Sequence, residues 1–156
     1  MLYLNTFGNP EEKSQVTHNV YGNYGAAWNP DKTAIVYNSM TSEGNKITVQ
    51  RVVPLRFKEL TVYFNKGEAS GPFWGPDGDI YLTMHVSKRN SDIFRFALPE
   101  KPFKAEKPAL KKVGRLTFNS TVESEVQLFP DGKKMVYISD QTGAPRLLAA
   151  QPHLVA

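Results

Sequence analysis

A chain of 156 residues, 40% hydrophobic and 22% charged, has the length of one domain and can bury roughly 70% of its unfolded surface. It contains no cysteine, which excludes a disulfide scaffold, a cysteine zinc site, an iron–sulfur cluster and a thiol nucleophile. Its net charge of +4 is unevenly placed: residues 101–115 hold Lys101, Lys104, Lys107, Lys111, Lys112 and Arg115 against Glu106, so the rest of the chain is close to neutral.

From the N-terminus, the apolar run 1–4 has no basic residue before it and turn residues soon after, so it does not read as a signal peptide. No stretch approaches the ~20 apolar residues of a membrane-spanning helix. Strands are predicted at 2–6 and 15–17, then at 21–28, 33–38, 46–52 and 58–64. The next group is 68–74, 79–85, 91–97 and 113–118, and the last is 123–129, 134–139 and 146–150. Each run is short, rich in Val, Ile, Tyr, Phe and Thr, and bounded by Gly, Pro, Asn or Asp. Residues 104–112 have mild helical composition, but Pro108 removes a backbone donor, and the segment reads as an exposed loop.

Three segments align on a Pro-Asp pair: Pro30-Asp31-Lys32, Pro76-Asp77-Gly78 and Pro130-Asp131-Gly132. Asn19, Asn65 and Asn119 each lie 11 residues before the proline, and a hydrophobic strand follows each pair. Proline presets the first central position of a tight turn, aspartate suits the second, and glycine takes the left-handed position after it. Lys32 replaces that glycine in the first copy, so either it adopts a left-handed conformation at a cost of ~1 kcal/mol or the turn differs. Trp28, Trp74 and Phe129 or its neighbour are expected to pack between adjacent sheets. Asp31, Asp77 and Asp131 read as turn residues rather than a carboxylate cluster.

A repeat of about 50 residues with four strands is a propeller blade. The fold class is therefore all-β: antiparallel four-stranded blades, about three present, with residues 1–19 as outer strands of a preceding blade, 20–65 and 66–119 as full blades, and 120–156 as an incomplete one. So few blades do not close a ring, which calls for a longer chain or for self-association, such as two copies forming one ring.

The strand ending near each asparagine, the aromatic before Pro-Asp-Gly, and the run Phe129 to Asp140 together resemble the TolB-type β-propeller repeat, over essentially residues 1–150. The usual Ser before Pro is replaced by Asn29, Gly75 and Phe129. The resemblance implies a non-enzymatic module, without cofactor, that binds a protein at its channel mouth. It further implies a periplasmic component of the Tol–Pal system whose partner is an envelope lipoprotein. The repeat also occurs in the gating propeller of prolyl-oligopeptidase-type serine peptidases, which is the alternative reading.

In such a fold the innermost strands line the channel, so the candidate partner-binding residues are Asn23, Tyr24, Glu68, Ser70, Glu123 and Glu125. Glu125 leads, because many blades of the family carry an acid there. Period-two alternation predicts that Glu123 points to the same side. The basic segment 101–115 is a third reading, a polyanion site, against the plainer one of a solvated excursion; nucleic acid is not the expected partner. His18, His85 and His153 lack metal-ligand spacing and read as solvent-facing or strand-end residues. Residues 67–71 resemble a nucleophile elbow only superficially, since no helix follows.

Overall fold

Apolar runs this short, each closed by turn residues, cannot form long helices. The computed structural model describes residues 1–6 and 9–152, and there the chain makes thirteen strands and no α-helix. Among these residues, therefore, no helix is long and apolar enough to cross a membrane. His153 lies outside the described residues.

The strands form four antiparallel sheets. The first pairs β1 (Tyr3–Thr6) with β2 (Asn9–Gln15). The second orders β3 (Gly22–Trp28), β4 (Ala34–Thr41), β5 (Gly44–Val52) and β6 (Leu55–Asn65). The third orders β7 (Ala69–Trp74), β8 (Ile80–His85), β9 (Ser91–Ala97) and β10 (Lys111–Arg115). The fourth holds β11 (Glu123–Leu128), β12 (Met135–Ser139) and β13 (Arg146–Ala150). The predicted blades are thus present: two complete, flanked by two incomplete ones. The outermost strand of the second full blade runs over 111–115 rather than 113–118. Leu116 still extends the ladder, donating its N–H to Ile93 O at 2.8 Å, and Thr117 then turns its hydroxyl onto a buried carboxylate.

The blades stack face to face. Ala34, Val36 and Val49 of one blade meet Trp74, Ile80, Leu82, Phe94 and Phe96 of the next. On the other side of that second blade, Tyr81 and Ile93 meet Val126, Leu128, Met135 and Tyr137. β4 and β8 are covered on both faces, which is why they read as continuous apolar runs. β12 is covered on one face, and its burial alternates. Of the three aromatics expected between sheets, Trp74 is buried, whereas Trp28 and Phe129 are 37% and 44% exposed. Leu128, at the position that matches Trp74, fills Phe129's expected place, and Trp28 faces only the two-stranded sheet.

Inter-sheet contacts concentrate on the inner strands, with β7 lying against both β3 and β11. The outer strands splay apart. Residues 98–110 fill the resulting wedge: Leu98, Phe103 and Leu110 pack onto the core between the two full blades, and Leu110 donates its N–H to Val62 O of β6 at 2.9 Å. Pro102 and Pro108 are buried. The segment is a strap between blades and not the solvated excursion expected from its charge.

All three Pro-Asp turns share one geometry. The residue before Pro accepts from the fourth residue of the turn, at 3.0, 3.0 and 2.9 Å for Lys32, Gly78 and Gly132, and the aspartate Oδ1 accepts the N–H two residues on. These carboxylates are occupied in turns, as their spacing implied. Lys32 does adopt the left-handed conformation, with φ of 59° beside 88° and 69° for the two glycines. Lys32→Gly is therefore expected to stabilise the fold by about 0.5 kcal/mol, the relief of left-handed strain less the glycine's unfolded-state entropy. Chemical denaturation checks this.

Candidate functional site

Each innermost strand carries a bulge, at equivalent places: after Tyr24 in β3, after Ser70 in β7 and after Ser124 in β11. Two residues oppose one across the ladder, and the first of each pair has positive φ: Gly25 at 64°, Gly71 at 60°, Glu125 at 55°. All three stand five residues before the Pro of the turn. A Cβ would meet no atom closer than 3.9 Å at Gly25 or 3.7 Å at Gly71, so backbone conformation rather than space favours glycine there. The third blade puts a carboxylate in this strained position.

The bulge overturns the expectation that Glu123 and Glu125 share one side of a regular strand. Glu125 is exposed; Glu123 is fully buried. Glu123 Oε1 accepts hydrogen bonds from Asn119 Nδ2 at 3.1 Å, Thr121 Oγ1 at 2.8 Å and Ser139 Oγ at 2.8 Å. Asn23 occupies the same place in the first full blade. It is 8% exposed, accepts from Ser39 Oγ at 2.7 Å, and donates to Asn19 Oδ1 at 2.8 Å and Tyr21 O at 3.1 Å. Both residues tie the incoming chain to the second strand of their blade. They are internal links, with no surface to offer a partner.

Four of the six candidates remain accessible to different degrees: Tyr24, Glu68 and Glu125 are exposed and Ser70 is half-buried. They lie on, or just before, the three adjacent inner strands. Glu68 is engaged locally, its Oε2 accepting the Lys66 N–H at 2.7 Å. Asn65 turns the chain into β7 by accepting from the Gly67 and Ala69 N–H groups, and Asn19 likewise accepts the Tyr21 N–H, whereas Asn119 donates its Nδ2 to Glu123 Oε1.

The basic segment divides. Lys101, Lys104, Lys107, Lys111 and Lys112 are exposed, whereas Arg115 turns inward onto the fully buried Asp92 and forms an ion pair with it. Thr117 Oγ1 donates to the other oxygen of Asp92 at 2.9 Å. Burial pushes the Asp92 carboxyl above the usual range, the Thr117 and Arg115 bonds oppose that shift, and nearby Glu123 adds to it. Arg115 also stacks over Phe118 at 4.7 Å, and Lys112 over Phe94 at 4.3 Å. His18 bonds to Gln15 O and His85 is exposed at a strand end. Among the described residues no group of three His, Cys, Asp or Glu side chains could hold a metal.

Two features were missed from sequence: the left-handed bulge and the buried links. Reading the three copies downward at five residues before Pro gives Gly, Gly, Glu, and at nine residues after Pro the first and third copies both have Ser. Those columns carried the signal.

No family profile matches the chain and no curated protein does. Among solved structures it is similar to TolB from Acinetobacter baumannii, at a TM-score of 0.72 and 21% identity over 92% of this chain and 33% of that one. A TolB-type structure from Agrobacterium tumefaciens gives 0.67 and 19% over 87% and 47%. A prolyl endopeptidase gives 0.55 and 14% over 93% and 22%. The chain thus has a TolB-like β-propeller fold and spans about a third to a half of the TolB structures it matches.

Proposed function

We propose that this chain is a non-enzymatic propeller module that binds a protein partner at its inner-strand rim, in the bacterial cell envelope. The observation that carries it is Glu125, an exposed carboxylate held at a φ of 55° where both other blades have glycine. Strain of this kind persists where the rest of the blade imposes it, and it clusters at sites of recognition. Tyr24 and Ser70 sit one residue before the equivalent bulges, adding an aromatic and a hydroxyl to the same rim. An acidic rim suits a partner with a basic segment. The envelope setting and a lipoprotein partner are part of this proposal, and the TolB-like fold supports them. The likeness to a prolyl endopeptidase favours a second reading, a gating propeller, which a neighbouring hydrolase segment would support.

Capture from an envelope fraction tests the first reading. Glu125→Gln should retain the fold and weaken capture by about tenfold or more, as for a central interface residue. Glu125→Gly should weaken capture equally while gaining about 0.5 kcal/mol of stability. Undiminished capture by both variants would refute the role of the rim.

A further inference from the structure

We propose a second interaction surface on the outer side of the second full blade, where the strap and β10 dock onto an anionic lipid surface. Five lysines, Lys101, Lys104, Lys107, Lys111 and Lys112, are exposed there, and among the described residues none pairs with a carboxylate. The backbone beneath them is fixed. Lys104 and Ala105 N–H groups close a turn on Lys101 O at 3.0 and 3.2 Å, Pro102 and Pro108 are buried, and Leu110 is tied to β6. Arg51 of β5 stacks over Phe103 at 5.1 Å and extends the positive surface toward the first full blade. Ordering the charges in advance lowers the entropy lost on binding.

The chemistry of the surface selects the partner. Base recognition in single strands needs uncovered aromatic faces, yet Phe94, Phe103 and Phe118 each already lie under a cation. Protein interface cores favour aromatics and arginine and are poor in lysine; exposed lysines dominate this surface, and Val113 and Phe118 are exposed only at its β10 end. Lysines are point charges on flexible stems. Carried on a strap and an edge strand whose backbones are tied down, they suit a laterally extended sheet of negative headgroups, where each contributes roughly a fivefold gain in binding. Lys111 and Lys112 stand on the outermost strand, and Lys101 and Lys104 on the strap beside Asn29 and Trp74, at the opposite ends of β3 and β7 from Tyr24 and Ser70.

The full chain is tested by co-sedimentation with vesicles of phosphatidylcholine alone and of a phosphatidylcholine–phosphatidylglycerol mixture. It should bind the mixed vesicles, and binding should fall steeply with salt. Replacing Lys101, Lys104, Lys107 and Lys111 by Gln should reduce it on the order of a hundredfold or more, with an unchanged circular dichroism spectrum and melting temperature. Lys112 is kept, since it covers Phe94. Glu125→Gln should bind vesicles like the parent, which separates this surface from the rim. Equal binding to neutral vesicles, undiminished binding by the folded quadruple variant, or displacement from the vesicles by equimolar single-stranded RNA would each overturn the assignment.

Discussion

Glu123→Ala is expected to destabilise the protein by about 3 kcal/mol or more, because one buried acceptor serves three donors and each orphaned donor costs about 1–3 kcal/mol less whatever water recovers. Asn119, Thr121 and Ser139 all converge on Oε1, and the missing side chain leaves a cavity in addition. Glu123→Gln should behave differently. Its amide oxygen can keep the three bonds, and Oε2, which has no hydrogen-bond partner among the described residues, gives way to a neutral group in a buried place. A change within about 1 kcal/mol is expected, since losing a buried charge offsets the unmatched amide. Urea unfolding of both variants decides it. Equal stability of Glu123→Ala and the parent would show that this junction is held by apolar packing alone.

Arg115→Ala should also cost about 3 kcal/mol at neutral pH, since removing one partner strands a buried charge. Asp92 is fully buried, and the ion pair with Arg115 is what balances it beside Glu123. Its carboxyl titrates above the ordinary range in the folded protein, so between the unfolded and folded values the native state holds the proton that the unfolded chain has lost. The contribution of Asp92 to stability is therefore largest below the unfolded value, near pH ~4, and declines as pH rises toward the folded one. Without Arg115 the folded value moves higher still. The variant should regain part of its lost stability on acidification, and Asp92→Asn in the same background should flatten that dependence. Unfolding midpoints across the mildly acidic range give the answer; a pH-independent loss would mean Arg115 acts through its stacking on Phe118 instead.

The blade architecture was legible because it depends on local rules. Pro-Asp-Gly specifies a turn wherever it falls, and thirteen runs bounded by such residues could be counted directly; at Lys32 the sequence left two conformations open, and the structure has the left-handed one. Of the six residues proposed for the rim, Asn23 and Glu123 are buried, and the other four are exposed or half-buried. Asn23 and Glu123 look like any polar residue on an inner strand until the serine of the second strand is seen to bond each one.

What the sequence determined by itself, then, is the set of contacts made within a few residues: turns, the number of strands, the repeat and the tally of charge. The tertiary structure alone decided which polar groups are buried, that Arg115 leaves the lysine run for Asp92, and that residues 98–110 plug a wedge instead of trailing in solvent. The physical reason lies in distance along the chain. Ser139 is 16 residues from Glu123 and Arg115 is 23 from Asp92. A wedge between splayed blades exists only once the blades have stacked, so no local pattern could announce the residues that would fill it.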